Sequence, residues 1–180
     1  MSDLSWDTLA RRVSYSCPGF DVVTEDVRLP DGTETEFDYV TEVESVVVLP
    51  FTPAGEVVVI EEWRQAVDRC NLGLPAGNID NEDEDLPTAA RRELREETGY
   101  EAESVSHLVS AEPANGFADS VLHYFVARDC EPTGGQDLDF NESIAVETTT
   151  LDALLDRARD GDLRDGRSLT GLLYYSLFEA

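Results

Sequence analysis

The chain has 180 residues, of which 39 are acidic and 13 are basic, so its formal net charge is −26 at pH 7. This charge argues against a nucleic-acid-binding surface, which needs clustered basic residues. The hydrophobic content of 41% is enough for one sizeable core, but no window approaches the roughly 20 uninterrupted apolar residues of a membrane-spanning helix.

The basic residues are all arginine, and the sequence contains no lysine. The acidic residues are spread along the whole chain among patterned apolar segments, which favours a folded protein with an acidic surface over a disordered acidic tail. Adaptation to a cytoplasm of molar salt explains such a surface, because salt screens its self-repulsion. The start of the chain lacks the pattern of a secretory signal. Three cysteines without a C-x-x-C pair predict buried free thiols.

The first half of the chain has the pattern of strands. Residues 20–29 and 35–40 alternate in polarity around Pro30-Asp31-Gly32, which predicts an N-terminal antiparallel hairpin. The β-branched runs 45–50 and 56–63 predict buried central strands. Residues 72–77 then indicate a short strand that enters a loop.

One central helix is predicted over residues 88–98, with Ala89, Ala90 and Leu94 on its apolar side and Gly99 as its C-terminal cap. Later segments are predicted as strands at 104–110, 121–128 and 144–150, a long loop at 129–143, and helices at 151–159 and 169–178. The expected fold class is therefore α/β (α+β), with a mixed β-sheet flanked by helices.

Three carboxylates of the central helix share one face. Glu93, Glu96 and Glu97 stand at positions i, i+3 and i+4, while Leu94 and Ala90 fix the other side in the core. Mg²⁺ takes oxygen ligands and joins a protein through one or two carboxylates, so Glu93 and Glu97 are its natural pair. The alternative interpretation is a solvated face with i, i+4 ion pairs.

The segment from Gly77 to Tyr100 resembles the Nudix box, in which a glycine, a glutamate and a helix of the form R-E-aliphatic-x-E-E-x-G follow one another at fixed spacing. Residues 92–99 match the helical half. Six residues rather than five separate Gly77 from Glu84, so Glu84, Asp83 or Glu82 could fill the first glutamate position.

The resemblance implies roles for several of these residues. Glu93 and Glu97 would bind a divalent metal, Glu96 would bind metal or help to activate water, and Arg92 would hold a glutamate by an ion pair. The chain looks most like the ADP-ribose pyrophosphatase branch, which has an aromatic-Arg pair and a Pro-Ala-Gly turn before the box. By that likeness Trp63 and Arg64 would contact substrate, and the carbonyl of Ala76 would complete the metal shell.

Residues after the box extend the likeness to this branch. Pro113 and Gly116 stand where the branch carries a proline and a glycine-containing loop, and this proline favours ADP-ribose as substrate. Glu142 is the best match for a late-loop carboxylate that binds metal or takes a proton, with Asp137 and Asp139 as competitors. The two histidines, His107 and His123, are interpreted as packing residues.

The resemblance implies a Nudix-type mixed sheet sandwiched between helices, with an N-terminal β extension at residues 1–43 that pairs subunits in a homodimer and a hydrolase domain at 44–180. It also implies hydrolysis of ADP-ribose to AMP and ribose 5-phosphate with Mg²⁺, or Mn²⁺ in its place. The alternatives are another nucleotide substrate (NADH, a sugar nucleotide or a dinucleoside polyphosphate) and a nucleotide-binding regulator without catalysis. No nucleic-acid or membrane partner is expected.

Overall fold

The computed structural model describes residues 4–79 and 84–180, which form two compact units. The smaller unit contains the chain up to residue 43 together with residues 112–121. The larger unit contains residues 44–111 and 122–180.

The smaller unit is built on an antiparallel sheet of three strands, β1 (Asp7–Cys17), β2 (Phe20–Arg28) and β3 (Glu34–Thr41), in that order. The hairpin of β2 and β3 confirms the sequence prediction, and Gly32 adopts the left-handed backbone conformation that its turn requires. Strand β1 was not predicted. Its side chains are almost all exposed, so it lacks the alternation that marks a half-buried strand.

A turn at residues 113–117 completes this unit. The backbone N–H of Val40 donates to the carbonyl of Phe117 at 2.9 Å, and the N–H of Asp119 donates to the carbonyl of Val40 at 3.1 Å. These bonds attach residues 112–121 to the end of β3.

The larger unit contains two sheets. An antiparallel sheet has the order β10-β5-β6, and a mixed sheet has the order β7-β4-β9-β8, in which only β4 and β9 run parallel. The strands are β4 (Ser45–Pro50), β5 (Val57–Arg64), β6 (Arg69–Gly73), β7 (Ala76–Asn78), β8 (Tyr100–Ala111), β9 (Leu122–Pro132) and β10 (Ile144–Thr149).

The helices of this unit are α1 (Leu86–Thr98), α2 (Leu151–Asp160) and α3 (Gly166–Phe178), and a short 3₁₀ turn covers Gln65–Val67. Helix α1 begins two residues before its predicted start, because the Asp85 carboxylate accepts a bond from the Thr88 N–H and forms an N-cap. Gly99 ends the helix in the left-handed conformation, as predicted.

Strand β4 of the mixed sheet is buried on both faces. Val46 and Val48 of β4 face Leu94 of α1, whereas Val47 and Leu49 face the antiparallel sheet and helices α2 and α3. This alternation follows from the two-residue period of a strand, and it explains why β4 is apolar throughout. The prediction of a mixed sheet between helices is confirmed.

Two sequence expectations need correction. The predicted loop at 129–143 begins later, because β9 continues to Pro132 in register with Tyr100. The three cysteines are free, but only Cys130 is buried, whereas Cys70 is exposed on β6. Across residues 4–79 and 84–180, none of the helices has the length and apolar character needed to cross a membrane.

Candidate active site

Helix α1 carries two buried carboxylates. Glu93 is 8% exposed and Glu97 is 2% exposed, because both project from the side of α1 that continues from its buried apolar residues Ala90 and Leu94. Glu96, one position before Glu97, is half-buried. The three-carboxylate face predicted from the i, i+3, i+4 spacing is therefore present and lies mostly out of bulk solvent.

Arg92 is the cation that balances this face. Its guanidinium bonds both oxygens of Glu84, from Nε at 3.0 Å and from Nη2 at 3.1 Å, and it also contacts Glu93 at 2.8 Å and Glu96 at 3.1 Å through Nη1. These charged hydrogen bonds, the one to Glu84 first, raise the pKa of Arg92 well above its ordinary value.

Glu84 is therefore one carboxylate that Arg92 holds, by a bidentate pair of the kind that fixes geometry as well as charge. The two other candidates for this box position, Glu82 and Asp83, lie outside the described residues. The catalytic importance of Arg92 and of the first box glutamate stays a prediction.

Glu97 is tied to β7 by one hydrogen bond. The backbone N–H of Ala76 donates to its Oε2 at 2.9 Å. Burial raises the pKa of Glu97 to about 8; the Ala76 bond opposes this shift, and the negative charges of Glu93, Glu142 and Glu62 add to it. At neutral pH the Glu97 carboxyl therefore holds a proton, which a bound divalent cation would displace.

Gly77, the next residue of β7, allows the strand to pass close to the helix. A Cβ at this position would lie 2.2 Å from Oε2 of Glu93, so a side chain here would displace that carboxylate. This contact gives a physical reason for the glycine of the predicted box.

A cavity of about 270 Å³ opens in front of these carboxylates. The loop before β10 contributes its other wall, including Glu142, whose Oε2 accepts a bond from the Asp139 N–H at 2.9 Å. The residues that line the cavity are Gly77, Arg92, Glu93, Glu96, Glu97, Asp137, Leu138, Asp139 and Glu142. Glu142, predicted from the late loop, is thus brought to the same cavity as the box carboxylates.

The same loop is fastened to the C-terminal end of α1. The N–H of Asp137 donates to the carbonyl of Glu96 at 2.9 Å, and the Gln136 side chain donates to the carbonyl of Glu97 at 2.6 Å. The last carbonyls of a helix have no partner within it, so these bonds satisfy groups that would otherwise need water. These hydrogen bonds attach the loop that carries Glu142 directly to the helix that carries Glu97.

The donor set of this cavity fits a divalent cation of the hard type. Four glutamate side chains face it with Arg92 as the compensating cation at its wall, and carboxylate oxygens are the ligands that such ions prefer. In the side-chain arrangement seen for residues 4–79 and 84–180, no three acidic, histidine or cysteine groups are close enough to hold an ion. A bound ion would therefore need these side chains to come closer together.

Arg64 and Trp63, the predicted substrate contacts, lie at the end of β5. Arg64 Nη2 is 2.6 Å from Oε2 of Glu62, and the Trp63 ring is 43% exposed with its Nε1 bonded to Gln65. Arg64 borders a narrow cleft between β5, β6 and α3, and Arg167 lies on the same cleft. It is not among the residues that line the carboxylate cavity.

Glu62 is a feature that the sequence did not reveal. It is 6% exposed, and burial raises its pKa while the positive charges of Arg64 and Arg167 oppose the shift. The only sequence signal was an acidic residue at a position that the strand period assigns to a buried face. Its charge also acts on Glu97, so it belongs to the electrostatics of the carboxylate cavity.

Pro113 and Gly116 belong to the smaller unit, within the turn at 113–117 that is bonded to β3. Within residues 4–79 and 84–180, and apart from its two chain neighbours, no residue places an atom within 4 Å of a Cβ built on Gly116. Their assignment to substrate binding stays a prediction.

The raised pKa of Glu97 makes the stability of the metal-free protein depend on pH. The folded state keeps a proton that the unfolded state loses near pH 4.5, so this stabilisation is complete below 4.5 and is lost as the pH rises through about 8. In EDTA, the unfolding free energy of the wild type should fall as the pH rises from 4.5 to about 8. We expect Glu97→Gln to make this slope less steep by up to about 1.4 kcal/mol per pH unit. Urea denaturation at a series of pH values measures the slope.

The matched control for this measurement is Glu101→Gln, which neutralises an exposed carboxylate of β8. It should keep the wild-type slope. Equal slopes for the wild type and Glu97→Gln would contradict the raised pKa.

Comparison with known proteins identifies the family. The family model described as NUDIX domain matches residues 41–169. An ADP-ribose pyrophosphatase from Bacillus subtilis (strain 168) is 30% identical over an alignment that covers 100% of this chain and 97% of the relative. A methanol dehydrogenase activator from Bacillus methanolicus is 31% identical over 87% of this chain and 84% of the relative.

A solved structure supports the same fold. The crystal structure of an ADP compounds hydrolase superposes with a TM-score of 0.87 at 23% identity, and the match covers 99% of this chain and 96% of the other. The predicted resemblance to the ADP-ribose pyrophosphatase branch is confirmed by the family match and by the relative from Bacillus subtilis. Nudix hydrolases generally use divalent metal ions, and membership of this family supports a small-molecule nucleotide as substrate. The chain belongs to the Nudix family and is a Nudix pyrophosphohydrolase.

Proposed function

We propose that this protein hydrolyses the diphosphate bond of ADP-ribose to give AMP and ribose 5-phosphate, with Mg²⁺ as its metal and Mn²⁺ as the substitute. The observation that carries the proposal is the cavity in which Glu93, Glu97 and Glu142 face one another beside Arg92. The relative from Bacillus subtilis, named as an ADP-ribose pyrophosphatase and aligned with the whole chain, supports this choice of substrate.

In this proposal the carboxylates of Glu93, Glu96, Glu97 and Glu142 and the carbonyl of Ala76 hold the metal. A bound Mg²⁺ would neutralise charge on the diphosphate oxygens and lower the pKa of the attacking water. The protein must keep its ligands aligned before substrate arrives, and the Ala76 N–H does this for Glu97 while Arg92 does it for Glu96.

Glu142 is the group we assign to take the proton from water, with Glu96 as the alternative. Glu96 ion-pairs with both Arg92 and Arg95, so a proton transfer to it competes with two cations. Glu142 forms no ion pair with any residue of 4–79 or 84–180, and it lines the cavity from the loop before β10 rather than from helix α1. A general base in this position contributes about 10²–10⁴-fold to the rate.

Four residues are proposed to bind the remainder of the substrate. The exposed ring of Trp63 offers an apolar face for a sugar or base, and Arg64 offers a positive charge for phosphate or ribose. Pro113 and Gly116 would shape a further part of the site. Because the chain carries a net charge of −26, such arginines and the bound ions must supply the local positive potential that an anionic substrate needs.

The hydrolysis is tested by product analysis with Mg²⁺ in concentrated KCl. We expect the wild type to convert ADP-ribose to AMP and ribose 5-phosphate, and we expect Glu97→Gln to lower kcat more than about 100-fold because a metal ligand is lost. Glu142→Gln should lower kcat about 10²–10⁴-fold with a smaller change in KM. Glu101→Gln, an exposed and isosteric change outside the cavity, should retain wild-type kinetics.

A substrate panel separates the proposal from its rivals. NADH, GDP-mannose and a dinucleoside polyphosphate are compared with ADP-ribose by kcat/KM. If one of these compounds has a higher kcat/KM than ADP-ribose, that compound is the preferred substrate, and the proposed hydrolysis of a diphosphate bond still stands. No hydrolysis of any of the four would contradict the proposed function and favour a binding role.

We also propose that residues 1–43 act as a dimerisation element and that the protein is a homodimer. The sheet of β1, β2 and β3 exposes an unusual number of large apolar side chains for a surface. The exposed members within the strands are Leu9, Val13, Tyr15, Phe20 and Phe37, and Leu4 and Trp6 stand just before β1. The Trp6 and Phe37 rings pack edge to face at 5.7 Å, which pre-arranges part of this apolar surface.

Sedimentation in concentrated KCl tests the homodimer. We expect a wild-type mass twice that of one chain and a shift to one chain for Val13→Glu, because Val13 is 58% exposed on β1 and a charge there would be buried by the partner. Val67→Glu places the same charge on a 49% exposed valine of the larger unit and should leave the dimer intact. A wild type that sediments as one chain would contradict this proposal.

A cytoplasmic location with molar salt is proposed from composition. The excess of acidic residues, with arginine as the sole basic type, causes strong electrostatic self-repulsion that a high salt concentration screens. The three free cysteines fit a reducing compartment. Cell fractionation tests the location.

The dependence of thermal stability on salt concentration tests the proposed adaptation to molar salt. We expect the Tm to rise steeply between about 0.1 M and about 3 M KCl, since the screening length falls from about 10 Å to below about 3 Å. KCl is used because sulfate stabilises folded proteins in general. A Tm that does not change with KCl would contradict the adaptation.

A further inference from the structure

The two histidines of the chain lie side by side on the paired strands β8 and β9. The ring centroids of His107 and His123 are 6.5 Å apart. The edge-to-face contact of the His107 ring with the Phe125 ring, at 5.4 Å between centroids, agrees with the packing role predicted from the sequence. That role does not account for the polar contacts of the two rings.

One serine oxygen bridges the two imidazoles. Ser110 Oγ lies 2.9 Å from Nε2 of His107 and 2.8 Å from Nδ1 of His123. Both nitrogens are therefore directed at one point in space. Nε2 of His123, on the far side of the ring, lies 2.9 Å from a carboxylate oxygen of Glu44.

A β-bulge produces this convergence. In a regular strand, residues 107 and 110 would point to opposite faces, because side chains alternate with a period of two. The register of β8 against β9 shifts between His107 and Val109, and the additional residue brings His107 to the face of Ser110. Ser110 is directly opposite His123 in the ladder, so the three side chains gather on one face.

The contact with Glu44 selects the tautomer of His123. A carboxylate accepts hydrogen bonds, so Nε2 carries the proton and Nδ1 presents its lone pair toward Ser110. A carboxylate behind a histidine is the arrangement that orients metal-binding imidazoles and raises their basicity. The Nε2 atom of His107 faces the same point, and His107 is exposed, so water can reach the space between the two imidazoles.

We propose that His107 and His123 bind one transition-metal dication of the Zn²⁺ class, at a site separate from the carboxylate cavity. The imidazole nitrogens would be two ligands, water would complete a four-coordinate shell, and Ser110 would rotate aside. Zn–N distances are about 2.0–2.1 Å, so each nitrogen moves toward the ion by less than about 1 Å from its present separation to Ser110 Oγ.

Ligand chemistry distinguishes the two sites. Mg²⁺ prefers oxygen ligands and matches the glutamates of the cavity, whereas imidazole nitrogen favours Zn²⁺ and its neighbours among the transition metals. The net charge of −26 raises the concentration of cations near the surface for either class.

A hydrolytic role for Ser110, with His123 as base and Glu44 as orienting acid, is the competing interpretation of the same contacts. Such a triad also needs a cleft beside the nucleophile and donors for the developing oxyanion. Neither the carboxylate cavity nor the Arg64 cleft is lined by Ser110. The metal interpretation needs only the two nitrogens that already converge.

The test is titration of the untagged protein with Zn²⁺ by calorimetry while Mg²⁺ in large excess occupies the oxygen sites. We expect one Zn²⁺ per chain and a rise in Tm, because an ion that bridges β8 and β9 binds only the folded state. His107→Gln and His123→Gln should each weaken this binding more than about 10-fold, and Glu44→Gln should weaken it about 10-fold or more because the second shell is lost.

Two controls keep the result specific to the histidines. Ser110→Ala keeps both imidazoles and should bind Zn²⁺ within about threefold of the wild type. Glu97→Gln alters the carboxylate cavity and should leave this site unchanged. Mg²⁺-dependent activity of the histidine variants shows that they are folded.

The proposal fails if Zn²⁺ does not bind in the presence of Mg²⁺, or if binding persists unchanged in both histidine variants. It also fails if Glu97→Gln removes the binding, because the ion would then lie among the carboxylates. None of these outcomes depends on the substrate of the hydrolase, so the two proposals fail independently.

Discussion

Repulsion among buried carboxylates is the constraint on which the active site depends. Glu93 and Glu97 lie within one helical turn, both nearly out of solvent, and the charges of Glu62 and Glu142 act on the same cavity. A fold keeps such groups only when cations or hydrogen-bond donors offset their repulsion. Arg92 and the Ala76 N–H provide part of this compensation, and the remaining negative charge supports the proposal that the cavity binds a cation.

The helical half of this site could be predicted because its information is local. The 3.6-residue period aligns Glu93 with Glu97 and sets Leu94 against the sheet, and Gly99 marks the C-terminal end of α1. The N-cap at Asp85 was not predicted, and it starts the helix two residues early. The uninterrupted apolar runs of β4 and β5 identify strands that are covered on both faces. Each of these inferences needs only neighbours in the sequence.

The features that escaped prediction depend on pairing between distant segments. Strand β1 has polar side chains on both faces, so only its register with β2 defines it. The burial of Glu62 follows from strands on both sides of β5 and from helix α3. The convergence of His107 with His123 requires a bulge, and a bulge changes the parity of every residue beyond it, which sequence periodicity cannot reveal.

The fastening of the 133–143 loop to helix α1 limits how this enzyme can diverge. Backbone donors of Thr133 and Asp137 reach carbonyls of Gly99 and Glu96, and a Cβ on Gly99 would lie 2.5 Å from the carbonyl oxygen of Gly134. Insertions before Asp137 would break this attachment and move Glu142 away from the helix. An insertion between Leu138 and Asn141 would leave the helix attachment intact, but it would have to rebuild the turn in which Asp139 and Glu142 are bonded to each other. The position of Glu142 therefore constrains the length of the loop on both sides.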